Sequence, residues 1–209
     1  MKKIISLIAF LILFSCENKK DSKFFKVYDE SELIQKQQEH KNSRMKFKLL
    51  QSKVLDMNEV FKPFNNELAT NFSEEEYNTL KPLILEQNIP SIQQSISKGL
   101  LSYEKLTLFY LYRIRKFESN SNTSLHAIIS LNPLAVEEAR LRDKNRDDNK
   151  FLIDISMYGM PVLIKDNINT AKIPTTAGAI ALLNNKNTED AFIVKRLKEE
   201  GAIILGKSN

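Results

Sequence analysis

The chain has 209 residues, 42% hydrophobic and 27% charged, with 5 glycines and a net charge of +5. That is enough apolar material for one sizeable core, and it excludes a disordered chain or a collagen-like repeat. The 31 basic and 26 acidic side chains are interspersed, so the clustered basic stripe of a nucleic-acid surface is missing and no nucleic-acid partner is expected. Two histidines and one cysteine give no cluster with metal-ligand spacing, so no metal site is expected.

The N-terminus opens with Met1, Lys2 and Lys3, followed by an apolar run from Ile4 to Phe14 broken only by Ser6. About eleven residues at a rise of ~1.5 Å span ~17 Å as a helix, short of the ~30 Å bilayer core. The run therefore reads as the apolar segment of an export signal rather than a membrane anchor. It ends in Leu13-Phe14-Ser15-Cys16 and turns polar at once, which resembles a bacterial lipobox, with Phe14 bulkier than the usual occupant. Cys16 is then the expected lipidation site and residues 1–15 the part removed, placing the mature protein in the cell envelope on a lipid anchor. The competing reading is an ordinary cleavage site with an incidental cysteine. With no second Cys, no intrachain disulfide is possible.

Residues 16–44 are polar and read as a solvated tether or a frayed helix. Residues 45–98 read as a helical region without glycine. Phe47, Leu50, Val54, Met57 and Phe61 recur at intervals of three and four, one apolar stripe for the core or for a coiled-coil partner; Pro63 ends it. Ser73 with Glu76 is a capping-box pattern that opens a helix running toward Gln87, and a short helix after Pro90 closes at Gly99. Ser102 caps the next helix, with the stripe Tyr103, Leu106, Tyr110, Ile114 and Phe117. Asn132-Pro133 starts another, a side-chain cap followed by Pro at the first helical position, and it fades in the charged stretch 142–150.

The texture changes after this. Met160–Ile164 is a short apolar run that reads as a buried strand. Asp190 to Glu200 reads as a helix with Ala191, Val194 and Leu197 on one face, stopped by Gly201. Ala202–Leu205 is a second buried strand. Strand, crossover helix and strand together predict a parallel pair covered by helices. The fold class is α/β: N-terminal helices, then the start of a mixed, helix-covered sheet.

Two strings look like chemistry. Gly201 to Ser208 matches the phosphate-loop pattern GxxxxGK[ST] letter for letter, but its middle, Ala-Ile-Ile-Leu, prefers a strand, and a helix rather than a strand precedes it. No nucleotide partner is expected. The second string runs from Gly159 through Lys165-Asp166-Asn167 to Ile168 and places Lys165 at the C-terminal end of a strand, where open α/β sheets carry their sites.

From Gly99 to Asn209 the chain resembles the N-terminal portion of the amidase signature family almost continuously. The matching pieces are KGLLSYEKLTLFYLYRI, HAIISLNPLAVEEARLRD, YGMPVLIKDNINTAKIPTTAGAIAL and DAFIVKRLKEEGAIILGKSN. The resemblance makes residues 99–209 the front of an amidase domain on a lipoprotein. It implies hydrolysis of a carboxamide C–N bond by a Ser, a second Ser on a cis peptide and a Lys, with a small-molecule amide as partner and no cofactor. Lys165 takes the lysine's place and the role of general base. Free lysine titrates near about 10.4, so that role calls for desolvation or a neighbouring positive charge, which a strand end buried beneath a loop could provide. A Ser-His-Asp triad is unsupported: His40 lies in the tether, and His126 stands where the family often has Asn.

Asn169 replaces a common Asp and Ala179 a common Ser, while Thr175, Thr176 and Gly178 remain. The family's catalytic serines sit in a Gly/Ser-rich loop, and no such loop occurs in the 209 residues. The chain is therefore expected to be an N-terminal part of an amidase, inactive and unstable by itself. The alternative is a noncatalytic amidase-like lipoprotein that serves as a binding module; a cytosolic amidotransferase component shares the KDN string but is opposed by the export signal. The sequence singles out no substrate-binding residue.

Overall fold

A computed structural model describes residues 29, 31–46, 56–120, 122–146 and 157–209. The export-signal run, Cys16, most of the tether and the stripe residues Phe47, Leu50 and Val54 lie outside the described residues. Within the tether, Ser31–Gln38 is an exposed helix, α1, that buries no residue.

Short helices come first. α2 (Met57–Phe61) buries Met57 and Phe61, the two described members of the first stripe. It gives way at Lys62–Phe64 to a tighter turn containing Pro63, as expected where proline brings no N–H donor. The chain then re-enters a helix, α3 (Asn65–Thr70), which the stripe does not foretell. α4 (Glu74–Ile84) starts where the capping box puts it, with the Ser73 hydroxyl accepting from the Glu76 amide at 3.1 Å. It ends three residues before Gln87: Leu85 is extended and Glu86 adopts φ +61°. α5 (Ile89–Ser97) is capped by the Asn88 side chain and closes at Gly99, whose φ is +72°.

α6 (Tyr103–Glu118) is capped by Ser102 and is the longest described helix, at 16 residues. Its burial departs from the predicted stripe. Leu106, Thr107, Leu108, Phe109 and Leu111 are all buried, so the middle of the helix is enclosed on every side, whereas Tyr110 and Ile114 are half-buried. The enclosing layers are α4 on one side, where the Tyr77 ring stacks on Phe109 at 4.7 Å, and α7 and the sheet on the other. α7 (Ala135–Lys144) begins two residues later than the Asn132-Pro133 signal places it, because Asn132 is used for something else. The Asn132 side chain is buried and donates to the Ile204 carbonyl at 2.9 Å, while its oxygen accepts from the Leu134 amide at 3.1 Å.

The sheet has three strands in the order β1 (Ile128–Leu131), β3 (Ile203–Ser208), β2 (Pro161–Lys165). β2 and β3 are parallel, as the sequence predicts, joined through α8 (Phe192–Glu199). β1 is unannounced by any predicted element and pairs antiparallel with β3. β3 also runs three residues past the predicted end at Leu205, to Ser208. Helices α2–α7 share the larger core cluster with Leu131, Ile203 and Leu205. Ile164, Ile173, Val194 and Ile204 form a second cluster on the opposite, α8 side.

Two glycines are fixed by close approach. Gly159 has φ +71°, and a Cβ there would lie 2.1 Å from the Tyr103 ring. At Gly206 a Cβ would lie 2.3 Å from the Ser130 carbonyl oxygen, a backbone atom that cannot swing away. Gly206→Ala is therefore expected to splay β1 from β3 and lower stability by about 2–3 kcal/mol, read as a lower urea or thermal midpoint. An unchanged midpoint would show that β1 moves aside freely.

Candidate active site

Because β2 and β3 run parallel, their C-terminal ends meet at one edge of the sheet, with Lys165 opposite Ser208. Strand alternation puts Lys165 on the same face as Leu163. That face borders an open groove of about 580 Å³, lined by Tyr110, Phe117, Leu125, Pro161 and Leu163 among others, and Lys165 itself lies outside the lining. The Lys165 side chain is exposed and makes no hydrogen bond or ion pair among the described residues. Among the described residues, the loop that follows β2 folds to the α8 side and covers Asp166, not Lys165.

Asp166 is buried at 3% exposure. Its own amide donates to the Ser208 carbonyl at 2.8 Å, which extends the β2–β3 pairing by one residue. Its carboxylate accepts from the Thr176 amide at 3.3 Å, from the Gly178 amide at 3.3 Å and from the Thr176 hydroxyl. The Asp166 carbonyl also receives the Ala177 amide at 3.3 Å. One residue thus gathers the whole turn Thr176–Gly178, where Ala177 and Gly178 both sit at positive φ, +48° and +72°. For Ala177 that conformation is costly, and the convergence of three amides on Asp166 holds it there.

The rest of the loop is tied at several points. The Ile168 amide donates to the Lys165 carbonyl at 2.9 Å, closing a tight turn directly after the lysine, and the Thr175 amide donates to the Asn185 carbonyl at 3.1 Å. Asn169 accepts the Ala191 amide at 3.0 Å through its backbone carbonyl, so this bond is indifferent to the Asp–Asn difference at that position. Asp190 accepts from the Ala171 amide at 2.8 Å and pairs with Lys198 at 2.7 Å, fastening the loop to α8. Burial works to raise the Asp190 carboxyl, but its bonds to Lys198 and Ala171 outweigh this and hold it below the usual carboxylate range.

The Lys of the phosphate-loop pattern, Lys207, is also drawn inside, beneath the same loop. It sits on β3 opposite Ile164 at 0% exposure. Its Nζ donates to the Ile168 carbonyl and to the Thr175 hydroxyl at 3.1 Å. The segment that carries the pattern is a glycine turn followed by a strand. The sequence alone assigns no role to Asp166, and none to Lys207 outside the phosphate-loop pattern. The signal for both is a charged residue within or at the end of an apolar strand run, where burial demands a partner. His126 is exposed at φ +50°, a backbone conformation that Asn tolerates better than most residues. Among the described residues no group of three His, Cys, Asp or Glu side chains is placed to hold a metal.

The chain is similar to several known proteins in sequence and in fold. A probable amidase of Arabidopsis thaliana is 41% identical over 128 residues, covering 60% of this chain and 24% of that protein. A glutamyl-tRNA(Gln) amidotransferase polypeptide of Nitratidesulfovibrio vulgaris is 36% identical over 122 residues, 58% of this chain and 24% of that polypeptide. Among solved structures, an amidase family protein from Bacillus anthracis superposes with a TM-score of 0.67 at 40% identity, over 76% of this chain and 31% of that one. The peptide amidase of Stenotrophomonas maltophilia gives 0.54 at 38% identity, over 60% and 25%. The chain thus spans about a quarter of the length of the curated relatives that it matches. The amidase family profile itself matches residues 105–209, half of the chain, and the chain belongs to that family.

Proposed function

We propose that this chain is part of an enzyme that hydrolyses a carboxamide C–N bond, with Lys165 as general base and the two serines supplied by sequence outside these 209 residues. The observation that carries the reading is the placement of Lys165: the last residue of β2, at the edge where parallel strands end, in a chain of the amidase family. The chemistry is that of acyl transfer. The Lys165 amine accepts the proton of the bridging serine, which accepts that of the nucleophilic serine; the nucleophile adds to the amide carbonyl. The C–N bond breaks as the proton returns to the departing amine, and water then releases the acid from the acyl-serine. Oriented N–H donors for the oxyanion dominate such catalysis and belong, on this reading, with the serine loop.

Because Lys165 is exposed and free of partners among the described residues, its replacement tests chemistry with little disturbance of the fold. Lys165→Ala in the full-length protein is expected to lower turnover of simple carboxamides by about 10³-fold or more, with stability changed by less than about 0.5 kcal/mol. Lys165→Arg is expected to fail as well, since a guanidinium stays protonated. Ammonia release at near-normal rate in either variant would place the base elsewhere. Absence of turnover in the unsubstituted full-length protein would favour the noncatalytic binding module.

We propose further that residues 1–15 are removed on export and that Cys16 carries lipid, so that the protein is anchored to a membrane surface. No helix among the described residues is long and apolar enough to cross a membrane, and the support is the short apolar run ending in Leu13-Phe14-Ser15-Cys16. Mass spectrometry of the mature N-terminus is expected to show a diacylglyceryl-modified Cys16, and Cys16→Ser is expected to move the protein from the detergent phase to the aqueous phase. An unmodified Cys16 in the membrane fraction would defeat the anchor.

A further inference from the structure

Lys207 has no part in the chemistry proposed above, and its burial needs a reason. A lysine on a central strand is an expensive way to fill space; Met or Leu would fill it without desolvating an amine. The register explains how it comes to be inside. Val162 pairs with Ile204, but Leu163 pairs with Gly206 and Ile164 with Lys207, so β3 carries one extra residue at Leu205. Without that bulge, alternation from Ile204 would send Gly206 to the α8 face and Lys207 to the opposite one. With it, Lys207 shares the α8 face with Ile164 and Ile204, directly beneath the loop that follows Lys165.

We propose that Lys207 is a positioning residue for the Lys165 site: its Nζ, entirely inside the protein, clamps the two limbs of the loop 166–178 together and so fixes the end of β2. The two acceptors lie on different limbs. Ile168, whose carbonyl takes one bond, is the residue whose amide closes the turn onto the Lys165 carbonyl at 2.9 Å. Thr175, whose hydroxyl takes the other at 3.1 Å, precedes the Thr176–Gly178 turn gathered by Asp166. Without the amine, Ile168 and Thr175 keep only the longer bond between them, in which the Thr175 hydroxyl donates to the Ile168 carbonyl at 3.4 Å. Burial holds the Lys207 amine below the ordinary lysine range, and the nearby Asp166 carboxylate offsets part of that pull. The assignment of catalytic importance rests on the reading of Lys165 as base; the clamp itself does not.

Amide hydrogen exchange on the full chain separates the clamp from a general contribution to stability. In Lys207→Met, which keeps the stem and loses the donor, the amides of Ile168 and Ala177 are expected to exchange about tenfold faster or more, while those of Leu106 and Phe109 in α6 stay within about twofold. The ε-methyl signal of Lys165, after reductive 13C-methylation, is expected to shift in the same variant. Equal acceleration in the loop and in α6 would reduce Lys207 to a packing residue and overturn the proposal, as would unchanged exchange. Should Lys207→Met not fold, Thr175→Ser keeps a hydroxyl for the lysine and Thr175→Val removes it together with its bond to the Ile168 carbonyl; acceleration at Ile168 and Ala177 is expected in the valine variant and not in the serine variant, and unchanged exchange in the valine variant would also overturn the proposal. Normal turnover in Lys165→Ala, by contrast, would sink the general-base reading and leave these exchange results standing.

Discussion

Everything in the described fold hangs on β3. It is buried from Ile203 through Lys207, and a buried strand must pair its backbone on both edges and cover both faces. The antiparallel edge is taken by β1, and Asn132 adds a side-chain bond to the Ile204 carbonyl just beyond it. The parallel edge is taken by β2, and a parallel neighbour obliges the chain to travel back along the sheet before returning; that journey is the loop 166–178 and α8. The helices α6 and α7 cover the face of Ile203 and Leu205, while α8 and the loop cover that of Ile204. Gly206 is the point where all this is tightest, since no Cβ fits between it and the Ser130 carbonyl.

The helices are legible in the sequence where a side chain caps them. Ser73, Asn88 and Ser102 each accept an amide in the first turn of the helix that they open; the Asn88 cap is hidden behind the more conspicuous proline that follows it, and the Asp56 cap of α2 is missed as well. Periodicity is a weaker guide. The stripe read on α6 supposes one buried face, but this helix lies between two layers, so Thr107 and Leu108 are buried too. β1 escapes a reading of the sequence because its four residues, Ile-Ile-Ser-Leu, are too few to show alternation. The parallel pair is legible because both strands are apolar on both faces and a helical pattern with a closing glycine lies between them.

The site divides along the same line. A strand end is easy to locate, which makes Lys165 conspicuous; its surroundings depend on where the next loop folds, and nothing in the string Lys-Asp-Asn says that the loop will cover the aspartate and leave the lysine exposed. A lysine that serves as a base has to be shielded from water. Under the proposed reading that shield comes from chain outside the described residues, consistent with relatives about four times the length of the matched region. What the described residues provide is the platform: a turn closed by Ile168, a carboxylate that organises Thr176–Gly178, and a buried amine beneath both.

The phosphate-loop letters show why a pattern has to be read with its backbone. Glycine in a phosphate loop lets amides wrap an anion, and the lysine after it reaches the same anion from a helix start. Here the first glycine, at φ +82°, terminates α8, and the second makes room for a neighbouring strand's carbonyl. The lysine is held by a carbonyl and a hydroxyl of its own chain. Each letter has a physical cause, and none of the causes involves a phosphate. The four residues between the glycines decide the matter, because Ala-Ile-Ile-Leu gains more by completing a sheet than by lying open as a loop. Once they are a strand, the lysine that follows must be either exposed or partnered, and the one-residue bulge at Leu205 turns it inward to a partner.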